Sequence, residues 1–307
     1  MKIKSVLITG VAGFIGSNLL DYLIETTDWI ITGIDNFSTG SKKNILHHLS
    51  NSRFRFIENS CDSLKSIREF DCIFHLAALP RIQPSFELIT EHVNANLVAS
   101  VYLIERMILE NHFPKFIFSG SSAIYGSPNN TPTDETETVN CLSPYAFQKY
   151  EVEKYLEIIS QRYPIDFVSL RYFNPYGPRS FNPENKFNAY SSVIGIFLDQ
   201  KRKKRPLLIT GDGSQKRDFV HVKDLARANY LAASSKKHLN TAFNIGRGST
   251  ISILRLAKMI SSEYLFIDKR HGEADVTFAN ISKAKKLLGW EPVHSLEEYI
   301  NNLTESL

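Results

Sequence analysis

A short apolar run, Val6-Leu7-Ile8-Thr9, feeds straight into glycines at 10, 13 and 16, and these open onto an apolar-periodic stretch. A strand, a tight turn and a helix in that order need glycine for three reasons. It lets the chain turn, lets the backbone approach a pyrophosphate, and lets the helix pack close to its strand. The helix N-terminus is then aimed at the phosphates. The spacing is G-x-x-G-x-x-G rather than G-x-G-x-x-G. A second apolar run, residues 29–34, ends in Asp35. A lone glycine triplet predicts only a turn; strand, helix and following acid together predict the opening of a dinucleotide site.

A carboxylate at the end of the second strand accepts ribose hydroxyls and repels a 2′-phosphate, so Asp35 favours NAD over NADP. The loop after it, with Asn36, Ser38, Thr39 and Gly40, offers small polar groups to the adenosine end. A third apolar run, residues 54–58, leads to Cys61-Asp62; a fourth, residues 72–76, ends in Ala77 and Ala78. Small residues at the end of a strand leave room for a ligand. His75, inside that run, reads as a satisfied core histidine. A helical pattern over 87–110 and a fifth strand over 115–119 continue the alternation, and Ser143-Pro144 announces another helix, serine as N-cap and proline at its first position. Strands alternating with helices specify the α/β class, here a Rossmann doubly wound parallel sheet. Beyond a sixth strand, ended by residues 171–178, the alternation weakens into a smaller substrate lobe. Residues 218–233 read as a helix returning to the first domain. The expected boundaries are 1–174 for the dinucleotide-binding domain, with 218–245 rejoining it, and 175–307 for the interleaved C-terminal lobe.

With 307 residues, 43% of them hydrophobic and 22% charged, the chain can bury a large core and is not of disordered composition. The net charge of +4 is mild. Its one dense basic cluster, residues 201–205, lacks aromatic interleaving and reads as a solvated helix end, so no nucleic-acid partner is expected. No signal-like segment or long apolar run is present, which predicts a cytoplasmic protein without a membrane partner. Cys61, Cys72 and Cys141 lack disulfide or zinc spacing and read as reduced thiols, and no metal is expected.

Tyr145 and Lys149 lie four apart on one helix and so share a face. A phenol with a pKa of about 10 is a poor base at neutral pH, but a nearby ammonium and a positive nicotinamide stabilise its phenolate. Tyr145 can then take a proton from a sugar hydroxyl, while Ser121, at the end of the fifth strand, bonds the same oxygen.

The motifs TGVAGFIGSNL, DNFSTG, HLAAL, FSGSSAIYG, SPYAFQK, RYFNPYGPR, GDGSQKRDFVHVKDLA and RHGEADVTFANISKAKKLLGWEP run from Thr9 to Pro292. Through them the chain resembles the extended short-chain dehydrogenases/reductases of the NAD-dependent nucleotide-sugar epimerase/dehydratase family. The resemblance implies catalysis by Ser121, Tyr145 and Lys149. It implies NAD contacts from Gly10, Gly13, Phe14, Ile15, Gly16, Asp35, Asn36, Ser38, Thr39, Gly40, Asp62, Leu76, Ala77, Ala78, Ser119 and Tyr172, besides Tyr145 and Lys149. Its substrate contacts are Arg81, Ser122, Val193 and Thr210, with Asn174 on a phosphate, Arg217 and Arg270 on the diphosphate or ribose, and Glu273 on a ribose hydroxyl. Relatives dimerise through a four-helix bundle, which points to the helices over 87–110 and 145–160 and to a homodimer.

Dehydratases of this family carry Asp-Glu after the catalytic hydroxyl strand, and decarboxylases carry a Glu; here the residues are Ser122-Ala123. That disfavours both reactions and leaves C4 epimerisation of a UDP-hexose through a 4-keto intermediate. Thr277 stands where the family's bulky tyrosine excludes N-acetyl groups, which implies UDP-N-acetylglucosamine and UDP-N-acetylgalactosamine, with UDP-glucose and UDP-galactose as second substrates. Arg81 could instead pair the carboxylate of a UDP-glucuronate. The remaining alternatives are a 4-keto-sugar reductase and a catalytically idle NAD-binding protein. One departure is Leu97-Val98, where the family has Gly-Thr, on the helix beneath the site.

Overall fold

The computed structural model describes residues 3–181, 192–269, 272 and 274–304. The first half alternates β1 (Ser5–Thr9), α1 (Phe14–Thr26), β2 (Ile30–Asp35), β3 (Phe54–Glu58) and β4 (Cys72–His75). There follow the helical stretch α2 (Ile82–Glu87), α3 (Ile89–Val93) and α4 (Ala99–Leu109), then β5 (Lys115–Ser121), α5 (Pro144–Ser160) and β6 (Phe167–Tyr172). The second half holds β7 (Pro175–Tyr176), α6 (Val193–Arg202), β8 (Leu207–Thr210), β9 (Lys216–Arg217), β10 (Val220–His221), α7 (Val222–Ser234) and β11 (Thr241–Ile245). It ends with β12 (Ile251–Ser252), α8 (Ile253–Ile260), β13 (Tyr264–Ile267), α9 (Ser282–Leu288) and α10 (Leu296–Thr304).

Seven strands form one sheet in the order β11-β6-β5-β4-β1-β2-β3, every neighbouring pair parallel. Such a sheet is buried on both faces, and its strands are apolar on both sides of the pleat. Val6 and Ile8 face a core shared with Leu19, Leu20 and Phe243, while Leu7, between them, faces another with Leu103, Phe116 and Leu156. The strand order reverses between β1 and β4, so the crevice of this doubly wound sheet opens at Gly10 and Ala77. A third core, with Phe197, Ile209, Leu256 and Ile300, underlies the second half.

Three stretches depart from the sequence reading. The helical pattern over 87–110 is divided into α2, α3 and α4, with a π turn over Asn94–Val98 at the Leu97-Val98 departure. Residues 218–221 are not helical: the Asp218 carboxylate, fully buried, accepts the backbone N–H groups of Arg247, Gly248 and Ala279, and the chain pairs as β10 before α7 begins. Ala279, Ala284, Leu288 and Trp290, assigned to the C-terminal lobe by position, pack into the first core. Ser143 caps α5 as expected, its Oγ accepting from the Ala146 N–H at 3.2 Å. Among the described residues no helix is long and apolar enough to cross a membrane, and Cys61, Cys72 and Cys141 are free thiols.

Candidate active site

A cleft of about 700 Å³ runs from the sheet's crevice into the space between the first and third cores. At its inner end Gly10 has φ +70°, and a Cβ there would stand 2.8 Å from the Ala77 amide nitrogen. A Cβ on Gly16 would stand 2.1 Å from the Gly10 carbonyl oxygen. The helix therefore rides against the turn, and only hydrogen fits between them. Gly13 is the N-cap of α1 and offers no side-chain cap, so the first N–H groups of α1 stay available beside Gly13, Phe14, Ile15 and Gly16, all of which line the cleft. A backbone cradle of this kind fits a dinucleotide pyrophosphate.

Asp35 joins this cradle to the loop after β2. One carboxylate oxygen accepts from Ala12 N–H at 2.9 Å and the other from Phe37 N–H at 2.8 Å. Each oxygen keeps a further acceptor site for a ribose hydroxyl. Burial raises the carboxyl above the usual range, and the backbone N–H groups pull it back. Asn36, Ser38 and Thr39 line the cleft. Gly40 does not; a Cβ there would stand 2.7 Å from the Ala12 carbonyl, so its task is to let the loop seat on the glycine turn. Asp62 is exposed and outside the lining, which at that point comes from Asn59, Ser60 and Cys61.

Leu76, Ala77 and Ala78 form the floor, and Thr9 Oγ1 accepts from the Leu76 and Ala77 N–H groups at 3.1 Å each. His75 is the core histidine that its apolar surroundings suggest. Its ring nitrogens bond Thr9 and Ser100 at 2.8 Å each, and burial holds it neutral, pulling it down to about 3.

At the other end Tyr145 and Ser121 line the cleft together. Burial raises the pKa of the Tyr145 phenol; the Ser121 hydroxyl and the charge of Arg81 act in the other direction. Lys149 Nζ donates to the Ser119 carbonyl at 2.9 Å and sits 4.9 Å from the Phe118 ring centroid, and burial pulls the ammonium down to about 8. Both Lys149 and Arg81 line the cleft with the phenol. Helix α5 is held by a buried network that no motif flagged: Glu153 pairs with Arg171 at 2.7 Å and accepts from Ser169, while Arg171 donates to the Tyr125 hydroxyl. Gly120 is required beside it, since a Cβ would stand 2.8 Å from Glu153 Oε1. Tyr172 lines the cleft with its hydroxyl bonded to Asn229 of α7.

Arg81, Ser122, Asn174, Val193, Thr210, Arg217 and Thr277 line the outer cleft, with Gln83 and Gln215, which sequence reasoning did not find. Asn174 spends both amide hydrogens within the protein, on the Asp218 carbonyl at 2.9 Å and Thr277 Oγ1 at 2.7 Å. A phosphate bond from that amide would have to displace one of them. Arg217 bonds the Lys216 and Asp275 carbonyls instead of Asp218. Arg270 and Glu273 lie outside the described residues. Among the described lining residues the sole carboxylate is Asp35, at the opposite end from Tyr145.

A model of the NAD dependent epimerase/dehydratase family matches residues 6–246. A putative UDP-glucose 4-epimerase of Methanocaldococcus jannaschii is 35% identical over 97% of this chain and 96% of its own length. Among solved structures, the UDP-N-acetylglucosamine 4-epimerase of Methanobrevibacter ruminantium M1, in complex with UDP-N-acetylmuramic acid, is 34% identical with a TM-score of 0.90, over 99% of this chain and 98% of that one. The UDP-glucuronic acid 4-epimerase of Bacillus cereus, in complex with UDP-glucuronic acid and NAD, is 30% identical with a TM-score of 0.89, over 98% of each chain.

Proposed function

This chain belongs to the NAD dependent epimerase/dehydratase family, and on that premise we propose that it interconverts UDP-N-acetylglucosamine and UDP-N-acetylgalactosamine. The coarser activity, an NAD-dependent UDP-sugar 4-epimerase, follows from relatives that match it over nearly its full length. When bound, NAD supplies a reversible hydride acceptor for C4. Tyr145 takes the O4 proton as C4 gives up its hydride and returns that proton after the 4-keto sugar has presented its other face. Ser121 holds O4 in line for both passages. Lys149, through its bond to the Ser119 carbonyl, fixes the end of β5 from which Ser121 projects. We assign NAD to the cradle at Gly10, Gly13 and Gly16, with its adenosine ribose at Asp35, and the uridine diphosphate to the outer cleft beside Arg217.

The observation that carries the substrate reading is the size of the side chains around Tyr145. Ser121, Ser122, Ala123, Gly126, Ala274 and Thr277, all small, line the cleft with Tyr145, and we place the acetamido group against them. Incubating the purified protein, without added cofactor, with each of UDP-N-acetylglucosamine, UDP-glucose and UDP-glucuronate tests it. The expected product is the C4 epimer of the N-acetylated sugar. Turnover of only the plain hexose or only the uronate would overturn the substrate assignment. Tyr145→Phe should keep NAD and lose inversion with every substrate.

We further propose a homodimer through α2 to α5. Ile89, Val98, Phe147 and Ile158 are 54%, 49%, 52% and 63% exposed on those helices, an apolar face that a second copy would cover.

A further inference from the structure

Successive residues of a 3₁₀ turn point their side chains about 120° apart, so two histidines in a row ordinarily diverge. In the turn Leu46–His48, between β2 and β3, they converge. His47 Nε2 stands 2.9 Å and His48 Nε2 2.8 Å from one atom, Asp21 Oδ1 of α1, and the two ring centroids are 4.1 Å apart. The other carboxylate oxygen, Oδ2, accepts from Arg179 Nη2 at 2.7 Å. Two imidazole nitrogens and one carboxylate oxygen thus lie within 4.8 Å of one another, and among the described residues no other three His, Cys, Asp or Glu side chains gather so closely. His47 is half-exposed, whereas Asp21 and His48 are largely covered, so the group is held on one side and open to solvent on the other. None of the three lines the cleft. Asp21 precedes the histidines by 26 and 27 residues, a spacing that belongs to no motif, and the sequence carries no expectation of a metal there.

We propose that Asp21, His47 and His48 form a site for a divalent cation of the zinc class, which fastens the chain after β2 to α1. Two imidazoles and a carboxylate are a donor set that zinc accepts, with water in the fourth position. In a tetrahedron with bonds of about 2.0–2.2 Å the ligand atoms stand about 3.3 Å apart, so separations of 2.9 and 2.8 Å need to open by only about half an ångström. Each neutral ring binds through Nε2 while its proton sits on Nδ1, so coordination releases no proton from it. Arg179 acts in two directions. Its charge opposes a cation, and solvent on the His47 side screens that repulsion. Its bond to Oδ2 fixes the carboxylate with Oδ1 toward the histidines, the part an outer hydrogen-bond partner plays for a metal-binding carboxylate. The segment so fastened adjoins the cofactor cradle. Ser41 N–H and Asn44 Nδ2 donate to the Ala12 carbonyl at 3.1 and 2.8 Å, and Ser38 and Thr39 line the cleft.

The site does not depend on which sugar is turned over, and no sugar enters its test. NAD-loaded protein, freed of metal by a chelator, is titrated with zinc against a chromophoric indicator, and separately with cobalt, whose visible absorption reports its ligands. One equivalent per chain should bind. The cobalt spectrum should be that of nitrogen and oxygen ligands, without the charge-transfer band that a thiolate of Cys61, Cys72 or Cys141 would add. His47→Gln and His48→Gln should each weaken zinc binding at least about tenfold. His47 is half-exposed, so its variant carries the test if Asp21→Asn, which also releases Arg179, does not fold. Hydrogen exchange of the amides over 41–49 should slow with zinc in wild type and stay unchanged by zinc in His47→Gln. Lack of stoichiometric binding would overturn the inference and leave the group a hydrogen-bonded clasp between α1 and the chain after β2. An affinity unchanged in both histidine variants, a thiolate band, or exchange over 41–49 that zinc does not slow would overturn it by placing the metal elsewhere. Failure to turn over N-acetylated sugars would overturn only the substrate reading and leave the metal site standing.

Discussion

Replacing Thr277 separates two things that one side chain does. Its hydroxyl oxygen accepts from Asn174 Nδ2 at 2.7 Å and from the Asp218 N–H at 3.2 Å, joining segments about 60 and 100 residues apart in the chain. Its small size also leaves the outer cleft open. Thr277→Val keeps the size and removes the acceptor, stranding two donors; at about 1–3 kcal/mol for a buried group left unpaired, it should lower stability by that order. The ratio of kcat/KM for UDP-N-acetylglucosamine over UDP-glucose should stay within a few-fold of wild type. Thr277→Tyr removes the same acceptor and adds a ring. One methylene of mismatch in a fitted pocket is worth about 10- to 200-fold in specificity, so a ring placed against an acetamido group should lower that ratio by at least about 100-fold. Urea melts measure the first effect, and initial rates on both sugars measure the second. Equal loss on both sugars in Thr277→Tyr, or loss of the N-acetylated sugar already in Thr277→Val, would refute the reasoning.

Gly16→Ala places a Cβ against the Gly10 carbonyl, which is backbone and cannot swing away; NAD affinity measured by calorimetry on stripped protein should fall at least about tenfold, and wild-type affinity would show that the turn can relax. His221, buried against Tyr176 and His294, is drawn by burial down to about 4, so the folded chain refuses a proton that the unfolded chain takes near 6.5. Its contribution is present above about pH 6.5 and is lost as pH falls toward 4; over that window wild type should lose about 1.4 kcal/mol per pH unit more than His221→Gln in denaturant melts, and parallel curves would contradict it. Ile158→Glu charges a surface that is 63% exposed in the single chain, so light scattering should find the wild type a dimer and the variant a folded monomer, and an unchanged mass would move the proposed interface elsewhere.

What could be read ahead of the structure is what repeats or neighbours itself along the chain. The glycine turn, Asp35, the Ser143 cap and the Tyr145/Lys149 pair are local, and the two-sided apolar strands announce a parallel sheet by composition alone. Contacts between distant segments leave no such trace. Nothing in Asn174 or Thr277 taken singly says that they bond each other, or that both amide hydrogens of Asn174 are engaged within the protein. The NAD contact of Asp62 came from the resemblance alone, and its side chain is exposed beside the lining residues Asn59, Ser60 and Cys61. The positive φ of Arg81 is invisible because side-chain periodicity carries no record of strain, and Asn96, which bonds the Leu79 backbone in that loop, sits where the helix takes a π turn that no periodic pattern encodes.

The distribution of charge in the cleft argues for why the proposed reaction ends in inversion. A 4-keto sugar loses a hydroxyl by elimination only if an acid stands ready to protonate the leaving group, and decarboxylation benefits from an acid at the same place. Among the described lining residues the sugar end offers hydroxyls, an arginine and a buried lysine, while the one carboxylate, Asp35, is at the far end on the glycine turn. Hydroxyls and a guanidinium are weak acids for a leaving hydroxyl, and the Lys149 ammonium is bonded to the Ser119 carbonyl. With no carboxylate among the described residues there to assist elimination, return of the hydride is the exit this reading gives the ketone.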